Sequence, residues 1–77
     1  MLEFRVNLNS INDVKMFVTE ASLVQCDIDV VSGRYVVDAK SIMGLFSLDL
    51  AQPVTVQVQG DSALAEKFRE AVSSLIA

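Results

Sequence analysis

Residues 26–38 read CDIDVVSGRYVVD, and their pattern decides the architecture of the chain. Apolar residues alternate with polar ones on both sides of the Ser32-Gly33 pair, which is typical of strands that bury one face. The positions predicted to face inward are Cys26, Ile28, Val30, Tyr35 and Val37. Gly33 permits a positive φ angle, so the two strands are predicted to form a tight hairpin rather than a crossover.

Two more strands and three helices flank this hairpin in the sequence. Residues 2–8 alternate strictly between apolar and polar types, and Pro53 opens a further strand over residues 54–59. Ser10 precedes a helix and, with Asp13, forms a start similar to a capping box. The apolar stripe of that helix is Ile11, Val14, Phe17, Val18 and Ala21. A short helix is predicted over residues 41–48. The last helix is predicted to bury Leu64, Phe68, Ala71, Val72 and Leu75.

The element order is therefore βαββαβα, in one predicted domain over residues 1–77. Each strand has only one apolar face, so the helices are expected to cover one side of the sheet and leave the other in water. The fold class is α+β, an open-faced two-layer sandwich with a four-stranded antiparallel sheet and three helices on one face. On the wet face, Asp27 and Asp29 are expected to pair with Arg5 or Arg34 across the sheet.

The composition excludes several classes of function. The 77 residues carry ten acidic and six basic side chains, a net charge of −4 that disfavours nucleic acid and anionic membranes as partners. Histidine is absent, and the single cysteine, Cys26, can form neither an internal disulfide nor a zinc site alone. No apolar run approaches the roughly 20 residues of a membrane span, and the charged start is unlike a signal peptide. We expect a cytoplasmic protein without metal or cofactor, and not an enzyme.

Residues 39–52, AKSIMGLFSLDLAQ, resemble the central segment of the HPr family, the histidine-containing phosphocarrier proteins of the bacterial sugar phosphotransferase system. Members read close to Ala-Lys-Ser-Ile-Met-Gly-x-x-Ser-Leu-Gly at this place, followed by a strand and a closing helix. Residues 17–21 also resemble the first helix of the family, and the order βαββαβα is the order of its elements. The resemblance covers most of the chain and implies an HPr-like fold.

The resemblance fails at the phosphorylation motif. The family carries its phosphoryl group on a histidine at the start of the first helix, within Gly-Leu-His-x-Arg-Pro-Ala. Ser10 occupies the position of that histidine, Asn12 that of the arginine and Asp13 that of the proline. A serine hydroxyl needs an activating base, Asn12 cannot neutralise a phosphoryl group, and Asp13 repels one. The pattern therefore predicts that histidyl phosphotransfer is lost and that Ser10 acts as a helix N-cap.

Ser41 matches the regulatory serine of the family, which a dedicated ATP-dependent kinase modifies in many Gram-positive bacteria. A phosphate on a helix N-terminus is favoured by the helix dipole. The competing interpretation is a plain N-cap. Lys40 is expected to be solvated; the alternative is that it attracts a phosphate or an acidic partner.

Met43 and Phe46 lie three residues apart on the short helix, off the stripe formed by Ile42, Leu45 and Leu48. The equivalent surface of the family docks partner proteins, so the resemblance implies a docking role for these two residues. The alternative is that one of them packs into the core. Gly44 in mid-helix points to a contact that tolerates no side chain, such as the close approach of a partner.

Three hypotheses of function follow. The leading one is an HPr-like, non-enzymatic interaction module that lacks the phosphoacceptor histidine and is regulated through Ser41. The implied partners are HPr kinase or a transcriptional regulator of carbon metabolism, bound by a monomer or weak dimer. The second hypothesis is a carrier of the phosphotransferase system that uses another residue. The third is a structural or oligomerising domain of unrelated role.

Overall fold

The computed structural model describes all 77 residues and has the predicted order of elements. The strands are β1 (Leu2–Val6), β2 (Ile28–Ser32), β3 (Tyr35–Asp38) and β4 (Val54–Val58). The helices are α1 (Ile11–Ser22), α2 (Ile42–Phe46) and α3 (Ser62–Ala71), and a 3₁₀ turn (Ser73–Leu75) follows α3. The short helix ends two residues before the predicted Leu48, because Ser47 already lies in its C-cap.

The four strands form one antiparallel sheet in the order β1-β4-β2-β3. The order of the strands in the sheet differs from their order in the sequence, because β1 pairs with β4 and not with β2. Every pair is antiparallel. In β4 the residues alternate between buried valines and half-buried polar side chains, as a strand covered on one side requires. The α+β open-faced sandwich predicted from the alternation is confirmed.

The core between sheet and helices contains 17 buried residues, all of them hydrophobic. Two fully buried rings tie α1 to α3: the centroids of Phe17 and Phe68 lie 5.5 Å apart at an interplanar angle of 71°. Phe4 extends the cluster to β1, with its ring centroid 6.2 Å from that of Phe68. The edge-to-face arrangement of the first pair is one that aromatic rings prefer.

The predicted tight hairpin is present between β2 and β3. Gly33 has a φ angle of 60°, and Ser32 pairs with Tyr35 across the two-residue turn. A positive φ angle at the first central residue alone is the pattern of a type II′ turn, which matches the twist of antiparallel strands.

Several sequence predictions about exposure or pairing are wrong. Leu64 and Ala71 were expected in the buried stripe of α3 but are exposed, because the stripe that faces the core runs through Ala65, Phe68, Val72 and Leu75. Tyr35 was placed inward but is 70% exposed, because it sits at the turn end of an outer strand beyond the cover of the helices. Ile11 was placed in the buried stripe of α1 but is 62% exposed, because the first turn of this helix projects past the core. The wet face of the sheet has no ion pair between Asp27 or Asp29 and an arginine, since the one ion pair of the chain joins α3 residues Arg69 and Glu66.

Amides partner the carboxylates of the wet face instead. The side chain of Gln57 donates to Glu3 at 2.9 Å, and that of Gln59 donates to Asp29 at 3.4 Å. The register explains why Arg5 does not pair with Asp29. Arg5 lies on β1 opposite Thr55 of β4, and β4 separates β1 from β2, which carries Asp29.

Candidate functional site

Ser10 caps the first helix. Its backbone is extended (φ −143°, ψ 164°), its side-chain oxygen accepts a hydrogen bond from the Asp13 amide at 3.1 Å, and its carbonyl accepts one from the Val14 amide at 3.2 Å. The hydroxyl thus satisfies one of the amides that a helix start leaves without an intrahelical partner.

Asp13 completes the helix start from the other side. Its carboxylate accepts a hydrogen bond from the Asn9 amide at 3.0 Å, one residue earlier than the reciprocal bond of a capping box. A carboxylate in the first turn interacts favourably with the positive end of the helix. The first turn of α1 therefore already holds a negative charge, and Asn12, exposed beside it, supplies no positive charge that would hold a second anion.

Removal of the Ser10 hydroxyl tests this cap. Ser10→Ala is expected to lower the free energy of unfolding by about 1 kcal/mol, because the Asp13 amide loses its acceptor. Urea unfolding followed by circular dichroism measures the change. Ser62→Ala is the matched control, because Asp61 and not Ser62 caps α3. Equal stability of the two variants would contradict the capping role.

Ser41 caps the short second helix. Its side-chain oxygen accepts a hydrogen bond from the Gly44 amide at 3.1 Å, and the residue is half-buried. The space around Gly44 leaves little room for a side chain, because a Cβ atom there would lie 3.1 Å from the Ser41 side-chain oxygen and 3.2 Å from the Cβ of Val37. The close contact at Gly44 is thus internal, with β3 and the cap, and requires no partner protein.

Lys40, next to Ser41, is not the solvated side chain that the sequence suggested. Its ammonium donates a hydrogen bond to the carbonyl of Val24 at 2.8 Å, and its amide donates to the carboxylate of Asp38 at 2.8 Å. The ammonium therefore ties the end of the hairpin to the loop after α1. It is already engaged on a partly buried backbone oxygen and is not free to attract a phosphate on Ser41.

Met43 and Phe46 both lie on the surface, with exposed fractions of 76% and 43%. The opposite side of α2 faces the core, where Leu45 is fully buried and Ile42 is half-buried. The helix therefore does not rotate either exposed residue into the core.

Ser10 and Phe46 line the same cleft, of about 390 Å³, between the start of α1 and the end of α2. Ile11 lines it as well, together with Leu50 and Ala51 from the loop before β4. Ser41 and Met43 do not line it. The sequence analysis missed the contribution of Ile11, Leu50 and Ala51, because no local pattern shows that the loop after α2 packs beside the start of α1.

Two further observations concern metals and membranes. The chain contains no group of three or more His, Cys, Asp or Glu side chains that is placed to hold a metal ion. None of its helices is long and apolar enough to cross a membrane.

The comparison with protein families decides the assignment. A family model described as the PTS HPr component phosphorylation site matches residues 5–77. The chain belongs to the HPr family. Proteins of the HPr family are phosphocarriers of the phosphotransferase system rather than enzymes, and they interact with other proteins of that system. The comparison with curated proteins gives no match.

Solved HPr structures share the fold over nearly the whole chain. HPr-C-His from Thermoanaerobacter tengcongensis is 30% identical, with a TM-score of 0.80, and the match covers 99% of this chain and 91% of that chain. The phosphocarrier protein HPr from Bacillus anthracis is 28% identical, with a TM-score of 0.74 and coverage of 99% and 96%.

A third similar structure is that of Crh, the catabolite repression containing protein of Bacillus subtilis, described as a swapped dimer. It is 29% identical, with a TM-score of 0.66, and the match covers 96% of this chain and 88% of that chain. The HPr-like fold that the central segment implied is thereby confirmed.

Proposed function

We propose that this HPr-family chain is a regulatory protein-interaction module of the cytoplasm that carries no phosphoryl group on histidine. Residues 1–77 act as one HPr-like domain. The observation that carries the proposal is the start of α1. The chain contains no histidine, and Ser10, which by resemblance takes the place of the family phosphohistidine, accepts the hydrogen bond that caps the helix.

The chemistry of that helix start supports a loss of phosphotransfer. A serine hydroxyl attacks phosphorus only when a base removes its proton. The Asp13 carboxylate, in the first turn of the same helix, accepts a hydrogen bond from the Asn9 amide. A transferred phosphoryl group at Ser10 would meet the negative charge of Asp13 and the neutral side chain of Asn12. The module is accordingly not an enzyme and needs no metal or cofactor.

The docking surface of the proposed module consists of Met43, Phe46 and Ile11. All three side chains are exposed, and two of them flank the Ser10 cleft. Exposed methionine and aromatic side chains form adaptable contacts with proteins. The partner is HPr kinase or a transcriptional regulator of carbon metabolism. The similarity to Crh, a catabolite repression protein by its description, supports that class of partner.

Alanine substitutions test the docking surface. Met43→Ala and Phe46→Ala are each expected to weaken the binding of purified HPr kinase at least about tenfold, since central apolar contacts contribute about 1 to 3 kcal/mol each to binding. Isothermal titration calorimetry measures the affinity. Leu23→Ala is the matched control. Leu23 is about as exposed as Met43 (73% and 76%), but it lies at the C-terminal end of α1 and does not line the Ser10 cleft. Equal weakening by all three variants would contradict the assignment of the surface.

Phosphorylation tests the regulatory part of the proposal. HPr kinase and ATP are expected to add one phosphate to Ser41, because the residues around it match the regulatory segment of the family. Mass spectrometry of the intact chain and of its peptides measures the addition, and Ser41→Ala is expected to remain unmodified. A wild-type chain that stays unmodified while an HPr with its regulatory serine is phosphorylated would remove the switch from the proposal.

The role of a carrier is the second candidate function. The family match favours it, because the matching model is that of a phosphorylation site and extends across α1. A carrier would need a phosphoacceptor other than histidine. The phosphotransfer assay that opens the Discussion separates the two candidates.

A further inference from the structure

The two outer strands of the sheet are protected very differently. The C-terminal residues cover β1: the Asn7 amide donates to the carbonyl of Leu75 at 2.7 Å, and the Ala77 amide donates to the carbonyl of Arg5 at 2.9 Å. A bridge between Val6 and Ile76 lies between these two bonds. No segment covers β3, so the free edge of the sheet is the outer side of this strand.

The pairing of β2 with β3 shows which backbone groups this edge presents. The Ala39 amide donates to the carbonyl of Ile28 at 2.9 Å, so residues 28 and 39 form a hydrogen-bonded pair. Hydrogen-bonded and non-bonded pairs alternate along an antiparallel ladder, which makes Val37 a bonded residue and Val36 and Asp38 non-bonded ones. Val36 therefore directs its amide and carbonyl outward, away from β2. The Asp38 amide also points outward, whereas the Asp38 carbonyl already accepts a hydrogen bond from the Ser41 amide at 3.0 Å.

The side chains at this edge do not protect it. Tyr35 is 70% exposed and Val36 is 60% exposed. Natural outer strands are usually protected from pairing by short length, charged side chains, proline or a bulge. The strand β3 has four residues and carries one charge, Asp38, at its end, and it contains no lysine or proline. An exposed apolar edge with free backbone groups is a template for one more strand.

A pair of like charges marks the end of the same strand. Asp38 on β3 lies directly opposite Asp29 on β2, an arrangement that destabilises a sheet. No cation of the chain neutralises the pair, because the one ion pair is Arg69 with Glu66 and the Lys40 ammonium binds a backbone carbonyl. A positive charge placed beside the outer edge of β3 would therefore stabilise the Asp29–Asp38 pair.

We propose that two copies of this chain associate through their β3 edges, in an antiparallel pairing centred on Val36. In this register each Val36 exchanges two backbone hydrogen bonds with Val36 of the second copy, and Tyr35 faces the second copy's Val37. Arg34 comes to lie opposite Asp38 of the second copy, and the reverse contact follows by symmetry. Each copy thus supplies the cation that the Asp29–Asp38 pair of the other copy lacks.

The proposed contact is a reversible one. Two four-residue edges bury less than the roughly 1,200 Å² of a stable protein interface, so the two copies are expected to exchange rapidly and to associate only at high concentration. The contact joins two four-stranded sheets into one of eight strands. No residue of β3 lines the Ser10 cleft, and the contact does not depend on the function proposed above.

Sedimentation velocity at increasing protein concentration tests the pairing. The sedimentation coefficient of the wild-type chain is expected to rise with concentration. Arg34→Glu is expected to raise the dimer dissociation constant at least about tenfold, because it places a third carboxylate beside each Asp29–Asp38 pair. Arg5→Glu is the matched control, since it changes the net charge equally on the covered strand β1 and is expected to leave association unchanged.

Two further variants test the charge contact and the backbone contact separately. The double variant Arg34→Glu, Asp38→Lys reverses both charges and is expected to restore association. Val36→Pro removes an outward amide that β2 does not use, so it is expected to abolish association while circular dichroism shows a folded chain. A wild-type chain that stays monomeric up to about 1 mM would overturn the proposal. A dimer that persists in Arg34→Glu and in Val36→Pro would also overturn it and would indicate an exchange of whole segments between two copies.

Discussion

The first enzyme of the phosphotransferase system and phosphoenolpyruvate are expected to leave this chain without any acid-labile phosphate. Phosphocarriers transfer the group through an imidazole nitrogen, and the chain contains no histidine. The Ser10 hydroxyl, which we propose takes the place of that imidazole, accepts a hydrogen bond from the Asp13 amide at 3.1 Å. Radiolabelled phosphoenolpyruvate followed by acid treatment measures the transfer.

The HPr of Bacillus anthracis is the positive control for this assay, because it is a phosphocarrier protein with the same fold. Its label is expected to be stoichiometric and to disappear in acid, whereas this chain stays at background. Stoichiometric labelling of this chain would replace the interaction module with the carrier hypothesis. A label that survives acid would indicate a serine ester and direct attention to Ser10.

Truncation of the central aromatic side chain is expected to unfold much of the population. Phe17→Ala removes a fully buried ring that contacts Phe68, and such changes lower the free energy of unfolding by about 3 to 5 kcal/mol. A domain of this length has a total stability of about 4 to 12 kcal/mol, at roughly 0.05 to 0.15 kcal/mol per residue. Thermal and urea unfolding monitored by circular dichroism measure the loss.

Phe46→Ala is the matched control for the aromatic core. It removes the same side chain from a position that is 43% exposed, so its effect on unfolding is expected to be a small fraction of the effect of Phe17→Ala. Equal losses in the two variants would mean that the two rings contribute alike and that the α1–α3 contact is not the centre of the core.

The strands and their inward faces were predictable because each depends on local chemistry. Strict alternation fixes which side of a strand is apolar, and this held along β4, where the valines at positions 54, 56 and 58 are all buried. The hairpin was predictable from Gly33, since a positive φ angle is accessible to glycine without strain. The cap of α1 was predictable from Ser10 and Asp13 at a spacing of three residues.

Local chemistry could not predict contacts between residues distant in the sequence. Lys40 binds the Val24 carbonyl across 16 positions, a bond that only the docking of the hairpin end against the loop after α1 creates. Gly44 looked available for a partner, but the neighbouring strand brings Val37 to within 3.2 Å of the place of a Cβ atom. The exposure of Tyr35 likewise depends on where the helices stop covering the sheet, and alternation carries no information about that limit.

The amino-acid pattern alone determined the order of the elements, the inward faces of β1, β2 and β4 and the absence of an imidazole, because periodicity and residue type are properties of short segments. Only the tertiary structure decided that Ser10 shares a cleft with Phe46, that the Lys40 ammonium binds a backbone carbonyl, and that β3 keeps an open edge beside two carboxylates without an ion-pair partner. The open edge of β3 follows from the strand order, since β1 pairs with β4 and the C-terminal residues cover the outer side of β1. The pairs between β1 and β4 join residues 48 to 56 positions apart, and no single segment encodes them.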